Sequence, residues 1–518
     1  MPYSMLNAPL FRVRGADDVV QTQTLPDILH RLANEEAPPI VSFEALQPHQ
    51  QQPWHSFLVQ LATMAVARGA GDAPGSPDAW RAALLNLAGG PEATWHLVVE
   101  DLAQPAFLQS PVPEGSLDAA SFKADIPTPD QLDVLITSKD HDVKSMRIAQ
   151  PRPEHWIYAL VALQTMEGFL GRGNYGIVRM NGGFGNRPMV GLAPDLSWGA
   201  RFRRDLRVLL DAREDLAGRY DPNGPALLWT EPWDGAKDSA VPLQDLDPYF
   251  IEVCRRIRFT QDDDGALTCW RANSKGQRVD GPDDLNGITG DPWTPIDKSG
   301  GKALTLGGGG FTYQKLHRIF LSGDYQKPPA LHPASDDGML YLVARTLVRG
   351  QGKTEGLHHR VVPVPARVAR LFGSQSDLEQ LASRARGRIE KASEVERRVL
   401  YPSIGTLIGG GSTDAIDGED IAPWLDAFDR AVDAAFFPEL WDTVEQEMSG
   451  DEAEAEWHRF LREQAEQQFE DAETRTPRAA TRYWRARSSA QSIFHGALRR
   501  VVPAAFEDAD QAAAPPAG

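Results

Sequence analysis

Residues 154–188 read EHWIYALVALQTMEGFLGRGNYGIVRMNGGFGNRP. Residues 154–170 form a strongly apolar helical pattern, which runs straight into a glycine-rich segment flanked by arginines. Gly171, Gly173 and Gly176 match G-x-G-x-x-G, the turn that holds a pyrophosphate in dinucleotide-binding sheets. That turn has to follow a strand and open a helix. Here the preceding residues read as helix and no helix clearly follows, so the match does not support a doubly wound α/β fold. What Gly182, Gly183 and Gly185 offer is a backbone that can approach a partner closely and adopt positive φ. Asn181 and Asn186 tolerate the same conformations. The alternative is a tight turn needed only for folding.

Outward from this segment the chain changes character twice. Upstream, LPDILHRLA and WHSFLVQLATMAVARGA space apolar residues at helical intervals after a short strand-like start, LFRVRG. Downstream, a helix is expected over 205–218, and 245–312 reads as short strands and loops, including YFIEVCRRIRFT and LTCWRANSKG. From about residue 367 strands vanish. Helical patterns cover 376–398, 421–440, 452–471 and 480–499, with breaks at 403–420, 448–451 and 474–478. Ile421, Trp424, Leu425, Phe428, Val432, Ala435 and Phe436 make one apolar stripe. Trp457, Phe460, Leu461, Ala465 and Phe469 make a second, and Trp484, Gln491, Phe494 and Leu498 a weaker third. The expected fold is α+β: a large mixed N-terminal domain over 1–366, a C-terminal four-helix bundle over 367–505, and a disordered tail over 506–518.

With 518 residues, 42% hydrophobic, the chain has material for more than one core. It has no apolar run of the roughly 18 residues a membrane-spanning helix needs, and no secretory signal pattern at its start. Cys254 and Cys269 are the only cysteines, so a disulfide framework and a cysteine zinc site are excluded, and a reducing cytoplasm is expected. The net charge of −19 argues against sequence-blind coating of nucleic acid. Charge is uneven, though. Residues 172–207 carry seven Arg against Asp195 and Asp205, and residues 339–370 carry six basic residues against Glu355. Residues 441–474 carry twelve acids against Arg459 and Arg462.

Catalytic motifs are missing. GQGKT at 350–354 ends like a phosphate-binding loop, but the first glycine of that motif would fall at Leu347, and no clean helix follows. A nucleotide-hydrolysing enzyme built on GQGKT is the alternative reading; a binding protein without catalysis, metal or cofactor is the preferred one. His358 and His359 are adjacent and, if extended, point to opposite faces, so they do not converge on one ion.

Several stretches together resemble the CasA family, the large subunit of the type I-E CRISPR Cascade complex. They are ALQPHQQQPWHSFLVQLA (45–62), DLAQPAFLQSPVP (101–113), LDVLITSKDHDVKSMR (132–147), LVALQTMEGFLGRGNYGIVRMNGGFGNRP (160–188), LNGITGDPWTP (285–295) and LVRGQGKTEGLHHRVVPVP (347–365). The resemblance implies a non-catalytic protein, working in the cytoplasm without a membrane, in an RNA-guided surveillance complex for antiviral defence. Its partners would be the protospacer-adjacent motif (PAM) of duplex target DNA, the guide RNA, the backbone, handle-binding and small Cascade subunits, and a recruited helicase–nuclease. The family reads the PAM from the minor groove with a glycine loop, a lysine finger and a wedge that opens the duplex to start the R-loop. Carried over, the glycine loop is Asn181, Gly182, Gly183, Phe184 and Gly185. The lysine finger is Lys275, and the wedge includes Gln351, Gly352, Lys353 and Thr354. Arg179, Arg187, Arg349 and Arg360 are expected to contact phosphates. Lys139, His141, Lys144 and Arg147 are expected at the guide-RNA 5′ handle and its neighbouring subunit.

Overall fold

The computed structural model describes residues 3–69, 71–135, 146–181, 185–333, 338–350, 353–412, 416–476 and 483–506. Two compact units emerge. The first comprises 1–311, 324–334 and 340–363; the second comprises 312–323, 335–339 and 364–518. Helix Tyr313–Phe320, which falls within 1–366 in sequence, therefore belongs to the second unit.

In the first unit two helices, Gln51–Ala67 and Pro153–Met166, are buried on nearly every face. Both carry apolar residues on every side, and such a helix is stable only when enclosed. Trp54 of one packs edge-on against Tyr158 of the other at 5.1 Å, and Phe11, Phe43 and Phe57 join the cluster. Around this pair lie small sheets rather than one large one. Phe11–Gly15 runs between Val20–Gln23 and Ile40–Phe43. Leu267–Ala272 runs between Lys123–Ile126 and Arg256–Gln261. The helix expected at 205–218 forms earlier, over Trp198–Ala212, because the Ser197 hydroxyl accepts from the Ala200 amide and fixes its start.

One sheet positions the site. Leu340–Gly350 lies between Met189–Ala193 and Lys353–Val364. Its pairing with Met189–Ala193 runs only from Tyr341↔Ala193 to Arg345↔Met189. Beyond Arg345 the two long strands continue as a ribbon past the sheet. Leu340–Gly350 and Lys353–Val364 thus form a β-hairpin, and Lys353 of GQGKT opens its second strand. A phosphate-binding loop needs a helix N-terminus there, so the nucleotide-hydrolysing reading loses its geometry.

The second unit is the four-helix bundle. Its first long helix, Gln375–Val395, continues through a π turn at Glu396–Leu400 into Tyr401–Ile408. Residues 403–408, read as part of a break, are helical, and Ser403–Leu407 are buried. Gly418–Glu445, Gly450–Arg475 and Tyr483–Val501 complete it. Phe428, Val432, Phe436, Trp457, Leu461 and Phe469 are buried as their spacing predicts. Trp484 is not: it is 67% exposed, and Tyr483, Ala486, Ala490, Phe494 and Leu498 carry the buried face instead. At the far end Phe506, counted in the tail, closes a short turn under the Arg462 guanidinium, 4.5 Å from its ring.

Candidate nucleic-acid interface

Helix Pro153–Met166 ends at Glu167, and the glycines after it do local work. Gly171 and Gly173 adopt φ of +101° and +89°. A Cβ on Gly176 would lie 2.7 Å from the Gly168 carbonyl carbon, so the chain folds back on itself here. These are the G-x-G-x-x-G glycines, and they are explained by a turn, not by a pyrophosphate.

Gly182, Gly183 and Phe184 lie outside the described residues. Their flanks are well defined: a Cβ on Gly185 would overlap the Asn181 carbonyl, so the loop's two ends touch. Asn181 donates from Nδ2 to the Ala303 carbonyl at 3.0 Å. Asn186 donates to the Leu306 carbonyl at 2.8 Å and accepts from the Leu306 amide at 3.2 Å. Both ends of the loop therefore stand on segment 303–306. That segment continues into Gly307–Gly310, which reaches the outer strand of the hairpin: a Cβ on Gly310 would strike the His358 ring, and one on Gly308 would lie 4.0 Å from Glu355. A single segment ties the base of the glycine loop to the hairpin. Sequence reading left 306–310 as an irregular connection; four consecutive glycines were the signal.

NGITGDPWTP supports the same loop from below. A Cβ on Gly287 would sit 3.0 Å from the Arg179 carbonyl and 3.1 Å from the Asn181 amide. Asp291 bonds Arg187 at 2.5 Å and lies 3.7 Å from Arg179. Arg179 also bonds Glu252 at 2.9 Å and the Phe250 carbonyl at 2.7 Å. Two arginines and two carboxylates thus form a buried network of zero net charge. Burial pushes the Asp291 carboxyl up, but the two guanidiniums outweigh this and hold it below the ordinary carboxylate value. Burial and then Asp291 act oppositely on Arg187, and burial wins, lowering it.

The expected phosphate ligands all have partners within the protein. Arg179 and Arg187 are 5% and 2% exposed and already paired. Arg349 bonds Glu167 at 2.8 Å, and Arg360 donates to the Phe311 carbonyl at 3.0 Å. The apparent basic run at 172–207 is largely interior, since Arg201 and Arg204 are buried as well. An acid far away in sequence cancelled what the local count suggested.

At the hairpin end Gln351 and Gly352 lie outside the described residues. Lys353 is exposed, with its ammonium 3.3 Å from Glu355. Thr354 has a buried hydroxyl without a partner among the described residues. Lys275 is exposed at the turn after Leu267–Ala272; its amide bonds the Gly235 carbonyl at 2.7 Å. The neighbouring Ser274 amide bonds the Gly173 carbonyl at 3.2 Å, which seats this turn on the start of the glycine segment.

Lys139, His141 and Lys144 lie outside the described residues. The ends of their segment are anchored. Asp133 accepts from the Leu135 amide at 2.9 Å, from Gln50, and contacts His49 Nε2 at 2.6 Å. Burial raises its carboxyl, but the facing His49 and these bonds lower it further. At the other end Asp130 accepts from the Ile148 amide at 2.7 Å. Arg147 reaches Asp130 at 3.4 Å and Gln47 at 2.9 Å, so it serves as an anchor of the segment. His49 and Gln50 belong to the QPHQQQPW stretch, but which partner they hold was not legible there.

A cavity lies where these parts meet. It is lined by His49 and Gln52, by Val134 just before 136–145, by Gly185 beside the glycine loop, and by Arg345 and Arg349 of the hairpin. Among the described residues no cluster of His, Cys, Asp and Glu suits a metal, and Cys254 and Cys269 are free and buried. No helix is long and apolar enough to cross a membrane among the described residues.

No family model matches the sequence, and no curated protein matches it either. Solved structures do. The crystal structure of Thermus thermophilus CasA is 16% identical, with a TM-score of 0.63, covering 96% of this chain and 100% of that one. Thermobifida fusca Cse1 is 15% identical, with a TM-score of 0.63, covering 97% and 98%. Cse1 from Acidimicrobium ferrooxidans is 16% identical, with a TM-score of 0.61, covering 97% and 99%. Over nearly its whole length the chain has the fold of the CasA (Cse1) proteins.

Proposed function

We propose that this chain is a CasA-type large subunit of a type I-E RNA-guided surveillance complex. It reads the PAM of target DNA from the minor groove, opens the adjacent base pairs and helps recruit a helicase–nuclease, without catalysis of its own. The observation that carries the reading is the shared footing of two segments. The 181–185 loop and the hairpin ending at 350–354 both rest on 303–310.

The physics suits this work. A minor groove shows a degenerate pattern, so a reader made of bare backbone and a lysine tolerates several sequences. Side chains on the loop would keep its backbone off the groove floor. With Arg179 and Arg187 committed internally, the exposed cations Lys275 and Lys353 are the candidates for groove and phosphate contact. Segment 136–147 faces the guide-RNA handle and its subunit in this reading, with Lys139, His141 and Lys144 as contacts.

Replacing Gln351, Lys353 and Thr354 together with Ala tests the wedge. R-loop yield on an intact linear duplex should fall by an amount worth a few kcal/mol, about the stacking an inserted wedge offsets. A target with a pre-opened bubble beside the PAM should restore it, and negative supercoiling should restore it partly. An equal defect on all three targets would show that the loop contacts something other than the first base pairs.

A further inference from the structure

Another cavity of the first unit, of about 700 Å³, lies between the start of the chain and residues 92–104. Two of its buried residues form a pair. Ser4 and His96 face each other across a short antiparallel bridge. It is flanked by bonds from the Met5 amide to the Trp95 carbonyl at 2.8 Å and from the Leu97 amide to the Tyr3 carbonyl at 3.1 Å. A pair flanked in this way projects both side chains to one face, with Cβ atoms about 5 Å apart. Both residues line the cavity, at 3% and 7% exposed. Among the described residues the Ser4 hydroxyl and both ring nitrogens of His96 are buried without a hydrogen-bond partner. Glu92 stands 3.9 Å from His96 Nε2, beyond hydrogen-bond reach. Buried polar groups are otherwise paired, so three unpaired atoms on one face call for a partner from outside the chain.

The rest of the lining is acidic and apolar. Glu92, Glu100 and Asp101 line the cavity, and among the described residues no lysine or arginine does. Arg81 partly offsets Glu92, from 3.4 Å. Glu100 and Asp101 are exposed and form no ion pair among the described residues. Arg258, buried within the field of Asp101, donates to the Gln104 carbonyl at 3.1 Å instead. Burial lowers the His96 ring, so it adds no positive charge near neutrality. The carboxylates and His96 do not converge on one point: among the described residues no such cluster suits a metal. Val98 and Val99 add a half-buried apolar wall. Negative charges spaced along an apolar wall match a cation carried on a hydrocarbon stem, and the volume is that of a small-molecule site.

We propose that this cavity binds an aliphatic primary amine, with an ammonium at Ser4 and His96, the methylene stem along Val98 and Val99, and Glu92, Glu100 and Asp101 as counter-charges. An ammonium has three donors and no acceptor, so it suits the Ser4 oxygen and the unprotonated nitrogen of a neutral His96. A free polyamine and the lysine side chain of a partner protein carry the same group. The site is independent of the function proposed above.

The test is calorimetry on the full chain at constant ionic strength, with spermidine, lysine capped at both ends, and magnesium chloride as probes. Spermidine should bind at one saturable site with a Kd of about 1 mM or tighter, and magnesium should not. Ser4→Ala deletes an unpartnered hydroxyl, so it should leave the thermal midpoint unchanged while weakening spermidine about threefold or more. Glu100→Gln with Asp101→Asn, both at exposed positions, should weaken it about tenfold. No saturable binding of either amine overturns the proposal. So does an affinity that these variants leave unchanged, or magnesium bound equally well, which would show only loosely held counter-ions. If spermidine binds and capped lysine does not, the occupant is a free polyamine; if capped lysine competes with spermidine, a partner's lysine fits the same site. A failure of the wedge experiment with spermidine binding intact would count against the proposed function alone.

Discussion

Buried carboxylates of the first unit and half-buried ones of the bundle are tuned in opposite directions. In the first, Asp133, Asp205 and Asp291 all lie below the ordinary value, because histidines and arginines drawn from distant parts of the sequence overcome burial. Glu252 is the exception there, held up by burial despite Arg179. In the bundle, Glu396, Asp429 and Glu439 are raised, first by burial and then by neighbouring acids. The arginines show the same division. In the first unit they are interior cross-links between remote segments. In the bundle, among the described residues, three pair with a carboxylate one helical turn away, Arg398 with Glu394, Arg462 with Glu466 and Arg475 with Asp471, while Arg367 and Arg487 reach Glu447 and Glu473 further off in sequence. The buried ion pairs that join remote segments lie in the first unit, and the pairs one helical turn apart that lie along a helix are in the bundle.

The strongest way to break that contrast is to remove Asp291. Asp291→Ala leaves Arg179 and Arg187 buried beside a single acid, and should cost the first unit about 3–5 kcal/mol in denaturant unfolding. A loss below about 1 kcal/mol would mean that the network is not what holds the glycine loop's footing.

Acid sharpens the contrast without any substitution. A carboxylate lowered in the folded state stabilises above its unfolded value of about 3.9, and that stability disappears as pH falls below it. The first unit should therefore weaken below about pH 4, and Asp133→Asn should reduce the slope. A raised carboxylate does the reverse: its unfavourable charge is relieved as pH falls through its folded value, so the bundle should gain stability as pH falls toward the ordinary carboxylate range of about 4. Unit-specific hydrogen exchange across pH 3–7 reads both signs, and parallel pH profiles would remove the distinction.

The smallest effect expected is at Arg475, whose pair with Asp471 is 67% and 36% exposed. Arg475→Ala should change bundle stability by no more than about 0.5 kcal/mol, seen as a barely shifted thermal midpoint.

The bundle was more legible than the first unit, and for a physical reason. Its helices obey a local period, so Phe428, Val432, Phe436 and Leu461 announce their burial within a few residues. Trp484 failed that logic because the small residues Ala486 and Ala490, which the stripe ignored, set the phase of the last helix. In the first unit the position of a side chain depends on partners far off in sequence. Arg187 and Asp291 are 104 residues apart, and nothing around either one reveals the pair. The glycine segment and GQGKT could be marked as special from composition, but not joined. The join runs through 303–310, whose own sequence says only that it is irregular.

The outer strand Lys353–Val364 has one further consequence. It is the edge of its sheet, and among the described residues no strand pairs with its other side. A ribbon of this length, partly free of the sheet, is a template on which a second chain could hydrogen-bond. Its sequence, KTEGLHHRVVPV, answers that hazard with charges near the tip, a glycine at 356 and a proline at 363 that cannot donate. Residues such as Glu355 and Pro363 therefore guard solubility as well as shape, and that duty limits how far this strand can change.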